Sequence, residues 1–263
     1  PATDTMSLSE QSVLDSLKQF ADPNTGKDYV SSRAVKNLRV SGADVSFDIE
    51  LGYPAKTQID AIRAALIAQV KTVPGVGNVS ANVHVKIVPH AVQQGVKLLP
   101  GVKNIIAVAS GKGGVGKSTT AVNLALALVA EGARVGMLDA DIYGPSQPQM
   151  LGIGGERPES HDGKTMEPLE AHGLQVMSIG FLVDVETPMV WRGPMATQAL
   201  NQLLKDTNWT DLDYLVIDMP PGTGDIQLTL SQSVPVTGAV IVTTPQDIAL
   251  LDARKGLKMF EKV

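Results

Sequence analysis

Residues 111–119, GKGGVGKST, combine glycines, lysines and hydroxyl side chains at a spacing that suits phosphate chemistry. Gly111, Gly116, Lys117 and Ser118 satisfy the phosphate-loop pattern G-x-x-x-x-G-K-[ST]. In this pattern the glycines let backbone N–H groups approach an anion, the lysine reaches the β- and γ-phosphates, and the hydroxyl binds Mg²⁺. The stretch therefore predicts a nucleoside triphosphate site, whose candidate binding residues are Gly111, Lys112, Gly113, Gly114, Val115, Gly116, Lys117, Ser118 and Thr119.

Three aspartates follow apolar runs that are typical of buried strands. Asp139 ends RVGMLD, Asp141 comes two residues later, and Asp218 follows the run Tyr214–Ile217. In open α/β sheets, ligands bind where the carboxyl ends of strands meet. Asp218 stands where P-loop enzymes place an Mg²⁺ carboxylate. One of Asp139 and Asp141 can orient Mg²⁺ or its water, and the other can orient or deprotonate the attacking water. A turn or cap role is the alternative for both.

The loop after Asp218, MPPGTGD, has the composition of a nucleotide-dependent switch. Gly222 offers a backbone N–H that can approach the γ-phosphate. We therefore expect the segment to be ordered by nucleotide and released on hydrolysis. A plain turn at Pro220-Pro221-Gly222 is the alternative.

Lys112 is a second lysine inside the loop, which the phosphate-loop pattern does not require. As a cation it would suit the phosphates of a neighbouring subunit, in the manner of an arginine finger. A solvated surface lysine is the alternative. The candidate catalytic residues are therefore Lys112, Lys117 and Asp141, and the candidate Mg²⁺ ligands, direct or through water, are Ser118, Asp139 and Asp218.

From Lys103 onward, strand-like runs alternate with helical patterns. This order predicts an α/β fold with a mostly parallel sheet flanked by helices, with the phosphate loop between a strand and a helix N-terminus. The expected strands are 104–109, 134–139, 174–178, 213–218 and 238–243, and the expected helices are about 117–131, 194–206, 225–233 and 247–260. Within the polar stretch 153–170, Asp162-Gly163 predicts a hairpin.

Residues 7–88 predict a small α+β unit in the order α-β-β-α-β. Ser7 and Glu10 have the spacing of a capping box ahead of the first helix. The remaining patterns predict strands at Val35–Val40, Val45–Leu51 and Val79–Ile87 and a helix over Ile59–Val70. We therefore divide the chain into a small domain at 1–88, a linker at 89–102 and a P-loop domain at 103–263.

Composition narrows the function classes. The net charge is −5 and no run of Lys and Arg occurs, which argues against a nucleic-acid partner. No apolar run reaches the ~18 residues of a membrane span, and the N-terminus lacks the features of a secretory signal, so we expect a cytoplasmic protein without a membrane partner. The chain has no cysteine, which excludes disulfides and thiolate ligands within it. The four histidines match no metal-site spacing.

Several segments resemble a known class of ATPase. KGGVGKS (112–118) resembles the deviant Walker A loop of the MinD/ParA/nitrogenase-iron-protein class. LDADIYGPSQPQMLG (138–152), MVWRGPM (189–195) and DYLVIDMPPGTGDIQLTL (213–230) are similar to the Mrp/ApbC iron–sulfur cluster carrier ATPases. The small domain, with DPNTGKDYV followed by VKNLRV, resembles the MIP18/DUF59 domain that precedes the ATPase in many of these proteins.

This resemblance implies an ATP- and Mg²⁺-dependent homodimer in which Lys112 acts across the subunit boundary. It assigns the phosphate, Mg²⁺ and water-orienting roles to Lys117, Ser118, Asp139, Asp141 and Asp218. It also implies a [4Fe–4S] cluster held by a Cys-x-x-Cys pair, which we expect beyond Val263, with apo-protein acceptors and assembly factors as partners. Related small domains often carry a cysteine after the Pro-Ala that follows the second strand, but here Lys56 follows, which favours a protein-interaction role.

Two functions remain open on the sequence. The first is a nucleotide-gated carrier that binds and transfers a [4Fe–4S] cluster. The second is a spatial-organiser ATPase like MinD or ParA, which would require an amphipathic C-terminal helix or a basic patch. A redox enzyme of the nitrogenase-iron-protein type would need cluster cysteines near the switch loop, and this chain has none.

Overall fold

The computed structural model describes residues 8–90, 96–182 and 193–262. The chain divides between Ile87 and Val88 into two compact units. Each unit has its own cluster of buried hydrophobic side chains.

The described part of the first unit is a three-stranded sheet with two helices. Its elements are α1 (Glu10–Lys18), β1 (Val35–Ser41), β2 (Asp44–Leu51), α2 (Ile59–Val70) and β3 (Val79–Val85). β2 is the central strand, antiparallel to β1 and parallel to β3. Alternate residues of β2 are buried, namely Val45, Phe47, Ile49 and Leu51. The predicted α+β order is confirmed, and β3 ends two residues earlier than expected.

The capping box predicted at Ser7 and Glu10 is wrong. Ser7 lies outside the described residues, and Glu10 is the first residue of α1. Ser9 is the N-cap, where its Oγ accepts a bond from the Ser12 backbone N–H at 3.2 Å. The Ser12 hydroxyl bonds back to the Ser9 backbone. Ser9 and Ser12 have the same three-residue spacing, and a serine here replaces the usual Glu or Gln of the motif.

The second unit has the predicted α/β architecture. Its described elements are β4 (Val102–Ser110), α3 (Lys117–Ala130), β5 (Val135–Asp139), α4 (Gln147–Met150), β6 (Leu169–Ala171), β7 (Leu174–Ser178), a short 3-10 helix (Ile179–Phe181), α5 (Gly193–Asp206), β8 (Leu212–Asp218), α6 (Asp225–Ser233), β9 (Gly238–Val242) and α7 (Asp247–Phe260). The sheet order is β6-β7-β5-β8-β4-β9. All neighbouring pairs are parallel except β6 and β7. Among the described helices, none is both long and apolar enough to cross a membrane.

The register of the central strands determines which polar residues meet. Asp139, the last residue of β5, lies opposite Asp218 of β8 on one side and Ser178 of β7 on the other. All five residues of β5 are buried, as expected for a central parallel strand. Three strand ends therefore place polar side chains next to one another at one edge of the sheet.

The hairpin predicted at Asp162-Gly163 is wrong. Asp162 instead forms a local turn, in which its Oδ1 accepts the N–H groups of Lys164 and Thr165 at 2.8 and 2.7 Å. The antiparallel pair in this region is β6 with β7, joined by His172 and Gly173. Both joining residues have positive φ, 51° and 79°, as a two-residue type I′ hairpin requires.

Candidate nucleotide site

The phosphate-loop sequence forms the connection between β4 and α3. Gly114 and Gly116 have φ of 76° and 87°, a backbone region that favours glycine. Gly116 is the N-cap of α3, and no side chain caps the helix there. The first N–H groups of α3 can therefore bind an anion, which the helix dipole also favours at this end.

The glycines of the loop serve two different structural needs. A Cβ on Gly113, Gly114 or Gly116 would meet no atom within 4 Å. A Cβ on Gly111, in contrast, would lie 2.6 Å from the backbone carbonyl carbon and the Cβ of Asp252 in α7. Gly111 therefore allows α7 to pack against the loop. The other three glycines leave the outer side of the loop open.

Lys117 lies inside the site rather than in solvent. Its side chain is 6% exposed, and its Nζ forms ion pairs with Asp218 and, at 3.4 Å, with Asp141. The same Nζ lies 3.3 Å from the Ser118 Oγ. The lysine thus joins the first turn of α3 to the carboxyl ends of β5 and β8.

Asp139 and Asp218 are both fully buried. The Asp139 carboxylate accepts the backbone N–H of Asp141 at 3.2 Å and that of Gln147 at 3.0 Å. Burial, together with the neighbouring Asp218 charge, raises the pKa of Asp139 to about 7. Burial also raises the pKa of Asp141, although the Lys117 ammonium opposes this shift.

The site contains more negative than positive charge. Asp139, Asp141 and Asp218 bring three carboxylates, whereas Lys117 is the ammonium within ion-pair distance in the described part of the chain. Carboxylate and hydroxyl oxygens, including that of Ser118, are the ligand class that Mg²⁺ prefers. No three His, Asp or Glu side chains in the described ranges form a metal site by themselves. A bound Mg²⁺ would therefore also need phosphate and water ligands, as it usually has in nucleotide sites.

Comparison with protein families accounts for both units of the chain. Residues 101–263 match the family described as NUBPL iron-transfer P-loop NTPase. The chain belongs to this family. Residues 10–83 match a second family, described as iron-sulfur cluster assembly protein. The predicted resemblances to cluster-carrier ATPases and to their small preceding domain are confirmed.

Individual relatives of this iron-transfer NTPase point the same way. An iron-sulfur cluster carrier protein of Pseudomonas fragi is 65% identical over 195 residues, 74% of this chain and 68% of that protein. One of Haemophilus influenzae is 49% identical over 262 residues, 99% of this chain and 71% of that protein. The match to the carrier protein of Escherichia coli strain K12, 72% identical, spans 62% of this chain and 44% of that relative's length.

A solved structure resembles part of this chain. It is the nucleotide-binding protein from Archaeoglobus fulgidus in complex with ADP, 40% identical with a TM-score of 0.54. The match covers 62% of this chain and 63% of that chain. The relatives and the family assignment favour the cluster-carrier prediction over the MinD/ParA-like organiser.

The other predicted site residues differ in exposure and in hydrogen bonding. Lys112 is exposed, and its backbone carbonyl accepts the Ser110 hydroxyl at 2.8 Å. Val115 is half-buried and Thr119 is exposed. Gly222, with φ of 105°, donates its N–H to the Ser110 carbonyl at 2.8 Å. Its expected contact with a γ-phosphate would need this bond to open, and it stays a prediction. Residues 189–192 of the MVWRGPM segment lie outside the described residues.

The structure adds two residues that the sequence analysis missed. Gln147, which is fully buried, donates its Nε2 to the Ser118 carbonyl and to Asp218, both at 3.0 Å. Its position after Asp141 carries no sequence signal for this role. Ser178 donates its hydroxyl to Asp139 at 3.2 Å. It ends the apolar run LQVMS just as Asp139 and Asp218 end theirs, and that signal could have found it.

Proposed function

We propose that this chain binds Mg–ATP at the phosphate loop and hydrolyses it slowly. The proposal rests mainly on Lys117, which lies beside the uncapped N-terminus of α3 and is paired with two of three clustered carboxylates. An arriving triphosphate would offer Lys117 a new partner. When bound, Mg²⁺ neutralises charge on the β- and γ-phosphates, and Ser118, Asp139 and Asp218 would hold it directly or through water.

We assign further roles to Asp141 and Lys112. Asp141 accepts the Tyr143 backbone N–H through one carboxylate oxygen and the Lys117 ammonium through the other. Release of Lys117 to the phosphates would leave that second oxygen able to orient the attacking water. Lys112, exposed on the loop, would contact the phosphates bound by a second copy of the chain.

The biological purpose of hydrolysis is proposed from the family. We infer that a homodimer opens and closes with nucleotide, and that it carries a [4Fe–4S] cluster to apo-proteins in the cytoplasm together with assembly factors. ATP would contribute its difference in affinity for the two dimer states. Because this chain has no cysteine, thiolate ligands for the cluster would come from residues outside it. The small unit would serve in protein interaction, with no role for nucleic acid or membrane.

Isothermal titration of this chain with ATP, with and without Mg²⁺, tests the central claim. We expect saturable binding that is stronger with Mg²⁺. Absence of binding with Mg²⁺ present would overturn the proposal.

The role of Lys112 is tested by substitution. Lys112→Ala should lower the rate of hydrolysis more than it weakens ATP binding, provided that the dimer forms. Lys164→Ala, at another exposed lysine, is the matched control. Equal losses of rate and affinity in the Lys112 variant would argue against a lysine acting across the dimer.

A further inference from the structure

Asp139 differs from the other two carboxylates of the site in its partners. Lys117 pairs with Asp141 and Asp218, whereas in the described ranges no Lys, Arg or His lies within ion-pair distance of Asp139. Asp139 is also fully buried, so bulk water does not solvate its charge. Its orientation therefore depends on neutral hydrogen-bond donors.

Ser178 supplies the side-chain donor among them. Two other bonds to Asp139 come from the backbone N–H groups of Asp141 and Gln147. Ser178 lies opposite Asp139 in the β5–β7 register and is fully buried. Backbone donors persist through substitution, so the Ser178 hydroxyl is the donor that a mutation can remove.

The hydroxyl of Ser178 has a defined direction. Its Oγ accepts the Gly180 backbone N–H at 2.9 Å. Because an N–H group only donates, the hydroxyl proton remains available for Asp139. Gly180 in turn packs closely on the loop after Asp139, since a Cβ there would lie 3.1 Å from Pro145. Ser178 thus connects the Asp139 carboxylate, through Gly180, to the loop that follows Asp139.

We propose that Ser178 is a positioning residue, which holds the Asp139 carboxylate in the orientation required for Mg–ATP. This inference rests on the proposed function. Without the hydroxyl, Asp139 would keep its two backbone bonds and gain freedom to rotate. A higher Mg²⁺ concentration should then be needed for ATP hydrolysis, while contacts to the nucleotide itself stay intact.

The test compares Ser178→Ala with Ser231→Ala. Ser231 is also fully buried, but its hydroxyl bonds to the Leu228 carbonyl within α6. We expect S178A to raise the Mg²⁺ concentration for half-maximal ATP hydrolysis about tenfold, the lower end of what partners of metal ligands usually contribute. Affinity for ADP in EDTA should stay within about twofold, a difference of less than 0.5 kcal/mol. S231A should match the wild type in both, and Ser178→Thr, which keeps a hydroxyl, should restore most of the Mg²⁺ response.

The outcomes distinguish failure of the role of Ser178 from failure of the proposed hydrolysis. An S178A variant with the Mg²⁺ dependence of S231A would overturn the inference. If S178A loses both ADP affinity and thermal stability but keeps the wild-type Mg²⁺ dependence, Ser178 serves folding alone. If the wild-type chain hydrolyses no ATP, the proposed hydrolysis fails, and the Mg²⁺ dependence of ATP binding then tests Ser178 instead. If S178A does not fold, Ser178→Cys fills the site with a somewhat larger side chain and a weaker donor, and should shift Mg²⁺ dependence in the same direction.

Discussion

The two ends of strand β8 carry aspartates in opposite electrostatic situations. Near its start, Asp213 accepts the Lys103 ammonium at 2.7 Å and the Arg134 backbone N–H at 2.9 Å. At its end, Asp218 shares a single ammonium, that of Lys117, with Asp141. Burial by itself would raise the pKa of Asp213, but its hydrogen bonds to Arg134 and Lys103 outweigh burial and lower it. Opposite Asp218, burial and like charge raise the pKa of Asp139, the last residue of β5.

This difference separates an arrangement that stabilises the fold from one prepared for a ligand. At the start of β8 the charges balance, because Asp211 and Asp213 face Lys103 and Arg134. At its end, the site has three carboxylates and one ammonium, that of Lys117, which pairs with two of them. Excess buried charge of one sign destabilises a protein unless something compensates it. Sites with such perturbed groups are candidates for function.

Replacing the lysine that pairs with each end of β8 should produce the largest difference in stability and ATP affinity. Lys117→Met leaves the buried carboxylates without their cation, so the free energy of unfolding should fall by about 3 kcal/mol. ATP affinity should fall about 100-fold, because a charge-assisted contact to phosphate is lost. Lys103→Met, at a partly exposed pair, should cost about 1 kcal/mol or less. Urea unfolding and ATP titration measure both effects. Equal destabilisation by the two variants, with ATP affinity unchanged in both, would break the comparison.

Two glycines with positive φ, one just before β4 and one at the N-cap of α3, offer a second contrast. Both Gly101 and Gly116 have positive φ, but a Cβ on Gly101 would overlap the Trp209 carbonyl oxygen, whereas one on Gly116 would meet nothing within 4 Å. Gly101→Ala should therefore lower the free energy of unfolding by about 3 kcal/mol, and Gly116→Ala by about 1 kcal/mol. Only Gly116→Ala should weaken ATP binding, since its methyl group faces the open side of the loop. A Gly116 variant with full ATP affinity would contradict the proposed phosphate site.

The pH dependence of stability should differ in sign between Asp139 and Asp213. The unfolded chain ionises Asp139 near pH 4, whereas the folded chain does so near pH 7. Ionised Asp139 therefore opposes folding, and the free energy of unfolding falls as pH rises from about 4 to about 7, by roughly 3 kcal/mol. Asp213, with its lowered pKa, instead stabilises the fold above the ordinary aspartate pKa and loses that contribution as pH falls below it.

Urea midpoints measured from about pH 2.5 to about pH 7.5 check this prediction. Asp139→Asn should remove most of the decline in stability between about pH 4 and about pH 7. Asp213→Asn should leave the decline in place and reduce the loss of stability at lower pH. If stability of the Asp139 variant declines with pH as steeply as that of the wild type, a group other than Asp139 causes the decline.

Much of the fold could be predicted because it depends on local patterns. Alternation in β2 and the strand–loop–helix order around residues 111–119 led to elements that the structure confirms within a few residues. Errors occurred where several residues offered the same chemistry at close spacing. Ser9 replaced Ser7 as the helix cap, and His172-Gly173 rather than Asp162-Gly163 made the hairpin.

The candidate site shows the same division between local and distant information. The sequence identified Lys117, Asp139, Asp141 and Asp218 as one group because strand ends meet at one sheet edge. It did not reveal that Lys117 pairs with Asp218, which lies 101 residues away. It also gave no sign that α7 packs against Gly111. Such contacts depend on the distance between elements that no local pattern encodes.

The sequence by itself determined the class of the protein and the chemistry of its loop, because the phosphate-loop spacing and the strand–helix alternation are short-range properties. Only the tertiary structure decided how the charges are shared. It left Asp139 without a cation, placed Ser178 beside it, and gave Lys117 to Asp141 and Asp218. The physical reason is burial, since hydrogen bonds and ion pairs between distant residues acquire their strength only when folding excludes water from them.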